Sequence, residues 1–217
     1  MPDPDAILAG LTRIANQAFA LAVLWHVAIG VAAAAVASGM RPSRRWAAAV
    51  LVMPLISVSV LAWAHGNPFN GATFAVLSVV LLSIAARGAR EPIELGHRWA
   101  VALGLLLVGF ACVYPHFLVG RPQTAYLYGA PVGTIPCPTL ALVIGVTLIA
   151  GGITSPSWTL VLSVAGSFYA LFGLLRLGVV LDIGLLAGVI GILVQWVRRR
   201  SGRLTQHDRT EARPSHR

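Results

Sequence analysis

The segment Pro136-Cys137-Pro138-Thr139 places a thiol between two prolines at the start of an apolar run. The first proline keeps the preceding loop extended, and the second suits the first turn of a helix, where its missing N–H needs no partner. Cys137 is therefore predicted near a helix N-terminus. There the helix dipole favours negative charge, and a thiol becomes more available for chemistry.

Other side chains able to bind a ligand fall near the ends of apolar runs that we place at one membrane face. Their convergence would suit a small polar cavity, because ionisable groups close to hydrocarbon are costly unless they are paired or hydrated. Histidine, tyrosine and arginine also collect at membrane interfaces without forming a shared site. The candidate binding residues are His65, Tyr114, His116, Tyr126, Tyr128, Cys137, Arg176 and Asp182.

Three of these residues, His116, Cys137 and Asp182, are candidate ligands for a transition metal. No local C-x-x-C or H-x-x-x-H spacing accompanies them, so the sequence names neither a metal nor a cofactor. A disulfide between Cys112 and Cys137 would need a long reach, because Cys112 lies about two turns inside its predicted helix. We expect both thiols to be reduced, with Cys137 the more reactive, and we expect His26 to be a packing residue.

The composition is that of a membrane protein. Of 217 residues, 57% are hydrophobic and 11% are charged, against about a quarter charged in soluble domains. The mean hydropathy is +0.80. A spanning helix needs roughly 20 apolar residues, so about seven fit. We predict an all-α polytopic fold with one transmembrane domain, residues 1–197, in a lipid bilayer.

The apolar runs and the arginines between them predict the topology. Arginines follow the first, third and last runs, which places the N-terminus outside and the C-terminus in the cytoplasm. Residues 198–217 are predicted to be a basic, disordered cytoplasmic tail, and the net charge of +9 indicates topology rather than a nucleic-acid partner. The predicted runs are 18–39, 46–64, 72–88, 99–118, 138–153, 158–175 and a last run that ends at 197.

One ion pair is predicted near the start of the last run. An unpaired carboxylate there would cost a few kcal/mol on insertion scales and would tend to take up a proton. Arg176, six residues before Asp182, is predicted to hold this carboxylate.

The second half of the chain resembles an uncharacterised family of small bacterial multi-pass membrane proteins, known as a domain of unknown function. The matching features are Tyr114-Pro115, the Gly-x-x-Pro-Cys-Pro-Thr segment from Gly133 to Thr139, and Asp182 followed by Gly184 and Leu185. Asn16 is a weaker point of similarity. The loop at Gly120 lacks a histidine expected beside that glycine. The resemblance implies a bacterial inner membrane location and brings no activity with it.

Three functions stay open on the sequence alone. The first is a transporter or permease-like protein that handles a small solute or ion through an outward-facing polar cavity. The second is a membrane redox or metal-handling enzyme or accessory that uses Cys137. The third is a structural subunit of a membrane complex, for which Gly184 and Gly188 would form a docking stripe. We expect the first, and therefore do not expect an enzyme.

Overall fold

The computed structural model describes residues 3–88, 90–151, 153 and 155–211, with side chains through Arg199. Its secondary structure is helical, and within the described residues the only β-type pairing is an isolated bridge between Ser43 and Pro92. The helices, in chain order, are α1 Pro4–Gln17, α2 Phe19–Ala37, α3 Arg44–Ala64, α4 Pro68–Ala86, α5 Arg98–Val113, α6 Tyr126–Gly129, α7 Pro136–Ile149, α8 Pro156–Arg176 and α9 Ile183–Glu211.

Five stretches in the described part of the chain are long and apolar enough to cross a bilayer. They are α2, α3, α4, α8 and the segment Val180–Arg199. The apolar helices α5 and α7 have 16 and 14 residues. These lengths correspond to about 24 and 21 Å, short of a hydrocarbon core of about 30 Å. The chain is therefore a multi-pass membrane protein, and the count of seven spans stays a prediction.

Helix α7 is the centre of the bundle, with α3, α5, α8 and α9 packed around it. Most of its residues are buried, because protein covers it on nearly every side. Gly104 of α5 and Gly145 of α7 lie against each other, and a Cβ on Gly145 would come within 2.9 Å of the Gly104 carbonyl oxygen. Small residues allow such close contact between helix backbones. A helix enclosed in this way is apolar all round, which is why its sequence reads like a span.

The first helix is a feature that the sequence analysis missed. α1 is amphipathic, and its apolar side joins a second buried cluster separate from the main core. This cluster covers the end of the bundle at which α5 ends and α7 begins. We call it the α1 cap; its buried members are Leu11, Ile14, Ala15, Tyr114, Phe117, Ala130, Ile135 and Val179.

Asn16 fastens this cap to the loop after α5. Its amide nitrogen donates to the carbonyl oxygen of Phe117 at 2.8 Å, and its amide oxygen accepts from the N–H of Val119 at 3.1 Å. Between these two bonds the loop turns sharply, with Phe117 at φ 78°, a left-handed conformation that is costly for a bulky residue. Asn16 thus supplies bonds that hold the strained turn.

The loops that carry arginine meet at the end of the bundle away from the α1 cap. The backbone N–H of Arg44 donates to the carbonyl oxygen of Glu91, which connects two of these loops. The backbone N–H of Gly96 donates to the carbonyl oxygen of Ile149 at the end of α7. The Arg198 guanidinium lies 5.5 Å from the ring centre of Trp99 at the start of α5. The bundle is therefore electrostatically polarised along its length.

Several predicted boundaries differ from the structure; for example, α4 begins at Pro68 rather than at residue 72, and α7 ends at Ile149 rather than at residue 153. The fourth run was predicted to reach residue 118, but α5 ends at Val113, because Pro115 lacks an N–H and disfavours helical geometry in the residue before it. Helix α9 is described through Glu211, and the division into a transmembrane domain of residues 1–197 and a disordered tail from residue 198 stays a prediction. Residues 212–217 lie outside the described residues.

Candidate functional site

Asp182 lies in the turn between α8 and α9, next to the first residue of α9. A single 3-10 turn, Val180–Asp182, carries it, and the N–H of Asp182 donates to the carbonyl oxygen of Val179 at 3.1 Å. Only 1% of the residue is exposed. A carboxyl group is thus held under the α1 cap, at the positive end of the α9 helix dipole.

Two neutral side chains from other segments donate hydrogen bonds to the two carboxyl oxygens. The Tyr114 hydroxyl, just after α5, donates to Oδ1 of Asp182 at 2.8 Å. The Cys137 thiol, in the first turn of α7, donates to Oδ2 at 3.2 Å. We call this arrangement the Asp182 cluster. It joins a carboxyl, a phenol and a thiol from three segments that are distant in the sequence.

Gly173 of α8 forms one wall of the cluster. The Asp182 carboxyl lies directly against its backbone, and a Cβ at this position would overlap Oδ2. The N–H of Val179 donates to the Gly173 carbonyl oxygen at 2.9 Å, which fixes the turn to the same point of α8. The missing side chain of Gly173 therefore makes the space that the carboxyl fills.

In the described part of the chain no arginine pairs with the carboxyl, and the predicted Arg176–Asp182 pair is wrong. The Arg176 side chain is exposed and forms no ion pair within the described part of the chain. The geometry gives the reason: α8 ends at Arg176, and the five residues between Arg176 and Asp182 form a turn, so that Asp182 turns inward while Arg176 stays at the surface. Two hydrogen-bond donors and two helix N-termini, those of α7 and α9, take the place of the cation.

The hydrogen bonds of the cluster suit a group that gains and loses a proton. A carboxylate accepts only, and here it has a donor on each oxygen. A protonated carboxyl must donate, and both the phenol oxygen of Tyr114 and the sulfur of Cys137 can accept. Either state of Asp182 can therefore be satisfied without moving the backbone.

Two other predicted site residues have separate roles. His65, at the end of α3, bonds the Leu61 carbonyl oxygen at 2.8 Å and the Gln17 side chain at 2.9 Å. It therefore connects α3 to the end of α1. The Tyr126 hydroxyl bonds the backbone N–H of Leu118 at 3.1 Å and its carbonyl oxygen at 3.3 Å. Tyr126 thus shapes the loop above the cluster and does not touch Asp182.

The last two predicted residues contact aromatic rings. Tyr128 is exposed and lies edge-on to Phe19, with ring centres 6.0 Å apart. His116 lies in the loop after α5, with its ring centre 4.3 Å from that of Phe117. Partial burial lowers the pKa of the His116 imidazole, so this ring is a neutral packing group near neutral pH.

The three candidate metal ligands, His116, Cys137 and Asp182, do not form one group in the described part of the chain. The described residues contain no group of three or more His, Cys, Asp or Glu side chains that could hold a metal ion. Cys137 and Asp182 are in contact, but His116 does not join them as a third ligand.

The two cysteines are both free, and His26 packs as predicted. His26 bonds the carbonyl oxygens of Ala22, one turn earlier in α2, at 2.8 Å and of Cys112, near the end of α5, at 2.9 Å. His26 thus ties α2 to the C-terminal end of α5, where the last carbonyl oxygens have no partner within their own helix.

Two residues that build the site carried little signal in the sequence. Gly173 reads as an ordinary glycine in an apolar run. Thr139 follows the Pro-Cys-Pro segment; its hydroxyl accepts from the N–H of Gly133 at 2.8 Å and donates to Ile135. Threonine hydroxyls often bond backbone groups a few residues away. A threonine in the first turn of a helix that begins with proline could therefore have been recognised as a hydrogen-bond partner for the backbone of the preceding loop.

Comparisons of the chain with models of known protein families, with curated proteins and with solved structures gave no match. Any functional assignment therefore has to come from the geometry of the Asp182 cluster itself.

Proposed function

We propose that this multi-pass membrane protein is permease-like and binds a proton or a small cation at the Asp182 cluster as part of moving a solute or ion. One observation supports the proposal: a buried carboxyl is held by two neutral groups, and no cation among the described residues is paired with it. An ionisable group placed within a membrane domain is a functional candidate by default.

A purely structural role explains this arrangement less well. Burial of a charge costs several kcal/mol unless good partners compensate, and an apolar residue of similar size would fill the same space without that cost. A proton or a small cation supplies the missing positive charge, with oxygen atoms from Asp182 and Tyr114 at hand to receive it.

The surrounding residues favour entry of the ligand from the α1 end. Beyond the cluster, toward the arginine-rich end, most of the core is fully buried apolar side chains such as Ile144, Leu148 and Leu162, and buried polar groups such as Thr147 are few. On the near side the cluster is separated from the surface by the α1 cap. Binding at Asp182 therefore takes place from the α1 end and requires the cap to move, and further passage requires a second conformation or a partner subunit.

Replacing the carboxyl should abolish the binding without unfolding the protein. In Asp182→Asn the side chain can still accept from Tyr114, and its NH₂ group can donate to the sulfur of Cys137, so we expect a loss of about 1 kcal/mol of stability. Infrared spectra of the reconstituted protein should show a protonated-carboxyl band that titrates with pH and shifts when Na⁺ or K⁺ is added. This band should be absent from Asp182→Asn.

Glu94→Gln is the matched control, because Glu94 is an exposed carboxylate that pairs with Arg44 at 3.4 Å. It should leave the buried band in place. A band that persists in Asp182→Asn, or a wild type whose spectrum responds to neither pH nor cations, would contradict the proposal.

A second candidate function is thiol chemistry. The Cys137–Asp182 hydrogen bond of 3.2 Å favours it, because a carboxylate in this position can act as the base that activates a thiol. Cys137→Ser separates the two functions. If the protein is permease-like, the response of the carboxyl band to pH and cations survives this change. If it is a thiol enzyme or redox accessory, the wild-type carboxyl band does not shift with Na⁺ or K⁺, and the thiol–disulfide exchange activity of the purified protein is lost in Cys137→Ser.

We further propose seven spans in a bacterial inner membrane, with the N-terminus outside and the tail in the cytoplasm. The bacterial location, and membership of the uncharacterised family, rest on the resemblance alone. The orientation is supported by the meeting of the arginine-bearing loops at one end of the bundle, since such loops stay in the cytoplasm.

Cysteine labelling tests this orientation. In a background without Cys112 and Cys137, Gln123→Cys should react with an impermeant reagent added to intact cells or spheroplasts. Ser201→Cys should react only after the membrane is opened. Labelling of both positions from the same side would rule out three spans between residues 123 and 201, and the reversed pattern would show that the protein has the opposite orientation.

A further inference from the structure

An open cleft of about 650 Å³ lies between the start of α3 and the end of α4, at the end of the bundle away from the Asp182 cluster. Its floor is apolar and formed by Ala49, Leu82 and Ala85. Two arginines, Arg45 and Arg90, line the cleft, and Trp46 lies beside them. The cleft plays no part in the proposed function.

The two arginines leave a positive charge in the cleft that the described residues do not neutralise. The ion pair at this end joins Arg44 to Glu94, and neither Arg45 nor Arg90 pairs with a carboxylate in the described part of the chain. Among the described residues that line the cleft none is acidic; Glu91, next to Arg90 in the chain, is exposed outside it. The positive end of the α3 dipole adds to this potential.

The apolar floor of the cleft continues along the outer surface of the hairpin formed by α3 and α4, both of which are candidate spans. Val50 and Met53 follow Trp46 on the same side of α3, at helical spacing, and Val79 lies one turn before Leu82 on α4. All three are exposed. A tryptophan beside the arginines is typical of the boundary between headgroups and hydrocarbon. The charged and the apolar parts of this surface therefore lie at adjoining depths in the bilayer.

We propose that this cleft binds one anionic phospholipid, with its phosphate on Arg45 and Arg90 and an acyl chain along the groove between α3 and α4. The unpaired guanidinium groups match the phosphate, and guanidinium binds phosphate through paired hydrogen bonds. The absence of a lining carboxylate disfavours a zwitterionic headgroup, whose cation would meet only arginines. The apolar groove distinguishes a lipid from a free phosphate ion.

Native mass spectrometry of the full-length protein, released from nanodiscs of phosphatidylglycerol and phosphatidylcholine in equal amounts, tests the proposal. The wild type should retain one phosphatidylglycerol in preference to phosphatidylcholine. Arg45→Gln/Arg90→Gln should lower this retention by about 10- to 30-fold, since each arginine near a membrane surface contributes about 1 kcal/mol toward an anionic lipid.

The matched control is Arg41→Gln/Arg87→Gln, which removes the same charge from exposed positions at the same end but outside the cleft. It should retain the lipid as the wild type does. Ala49→Phe fills the floor and keeps both arginines; it should lower lipid retention without changing the weak binding of inorganic phosphate. Thermal unfolding of each variant confirms that it is folded.

Three outcomes would overturn the proposal. Equal retention of the two lipids would show that the cleft does not select charge. An equal loss in the control pair would show that diffuse charge attracts the lipid. Inorganic phosphate that displaces the lipid at equal concentration, with Ala49→Phe having no effect, would identify a free-anion site.

Discussion

Gly173→Ala is expected to destabilise the protein by about 3 kcal/mol, although alanine is the better helix former by about 1 kcal/mol. The reason is that Gly173 leaves the space occupied by the Asp182 carboxyl, and a methyl group there would overlap Oδ2. The carboxyl must then move, which breaks its bonds to Tyr114 and Cys137. The midpoint of thermal unfolding in detergent should fall by about 6–12 °C.

Gly109→Ala is the matched control. Gly109 is also inside a helix, α5, but a Cβ there has no neighbour within 4 Å. This variant should be as stable as the wild type or slightly more stable. Because helix propensity alone would stabilise both variants, the opposite sign for Gly173→Ala isolates the contact with Asp182. A Gly173→Ala protein as stable as the wild type, with its carboxyl band unchanged, would show that the carboxyl is not held against α8.

The second large effect is expected for Gly133→Ala in the loop before α7. Gly133 has φ +72°, which costs an L-residue about 1–2 kcal/mol, and a Cβ there would overlap the indole ring of Trp25. Overpacking adds about 1–3 kcal/mol. The total loss of stability should be about 2–5 kcal/mol, measured by thermal or denaturant unfolding in detergent.

Displacement of Trp25 in Gly133→Ala should also weaken the attachment of α2 to the bundle. The Trp25 indole N–H donates to Ser57 at 3.3 Å, and the Ser57 hydroxyl donates to the Gly133 carbonyl oxygen at 2.6 Å. Most of α2 is otherwise exposed outside the bundle. Hydrogen exchange in α2 should therefore rise in Gly133→Ala more than in the rest of the protein.

Gly120→Ala separates strain from contact. Gly120 has nearly the same backbone conformation, φ +71°, but nothing lies within 4 Å of a Cβ there. Its loss should be limited to the strain of about 1–2 kcal/mol, with α2 unaffected. Equal losses for Gly120→Ala and Gly133→Ala would mean that Trp25 does not pack on the Gly133 loop.

The membrane class and most helices could be predicted because they depend on local sequence. Uninterrupted apolar runs have no stable alternative to helix in lipid, since backbone groups there must bond within the segment. The start of α7 at the Pro-Cys-Pro segment followed from the fixed geometry of proline. The end of α5 was predicted too late because the effect of Pro115 was overlooked, and α1 was missed because an amphipathic helix of 14 residues resembles neither a span nor a signal.

Tyr114, Cys137 and Asp182 could also be recognised as candidates from the sequence, but only together with five residues that lie elsewhere. At a helix end, a side chain that points inward and one that points to the interface have the same local pattern. Arg176 and Asp182 illustrate this: six residues apart, they were predicted to pair, yet one is exposed and the other buried.

By itself the sequence determined that this chain is a helical multi-pass membrane protein with its arginines concentrated in a few loops, because hydrophobicity and charge act on each segment wherever it lies. Only the tertiary structure decided which polar groups meet. The contact of Asp182 with Tyr114 and Cys137 joins residues 68 and 45 positions apart. It depends on how α5, α7, α8 and α9 pack and on the space that Gly173 leaves, and such long-range packing has no signature in the local pattern of a single sequence.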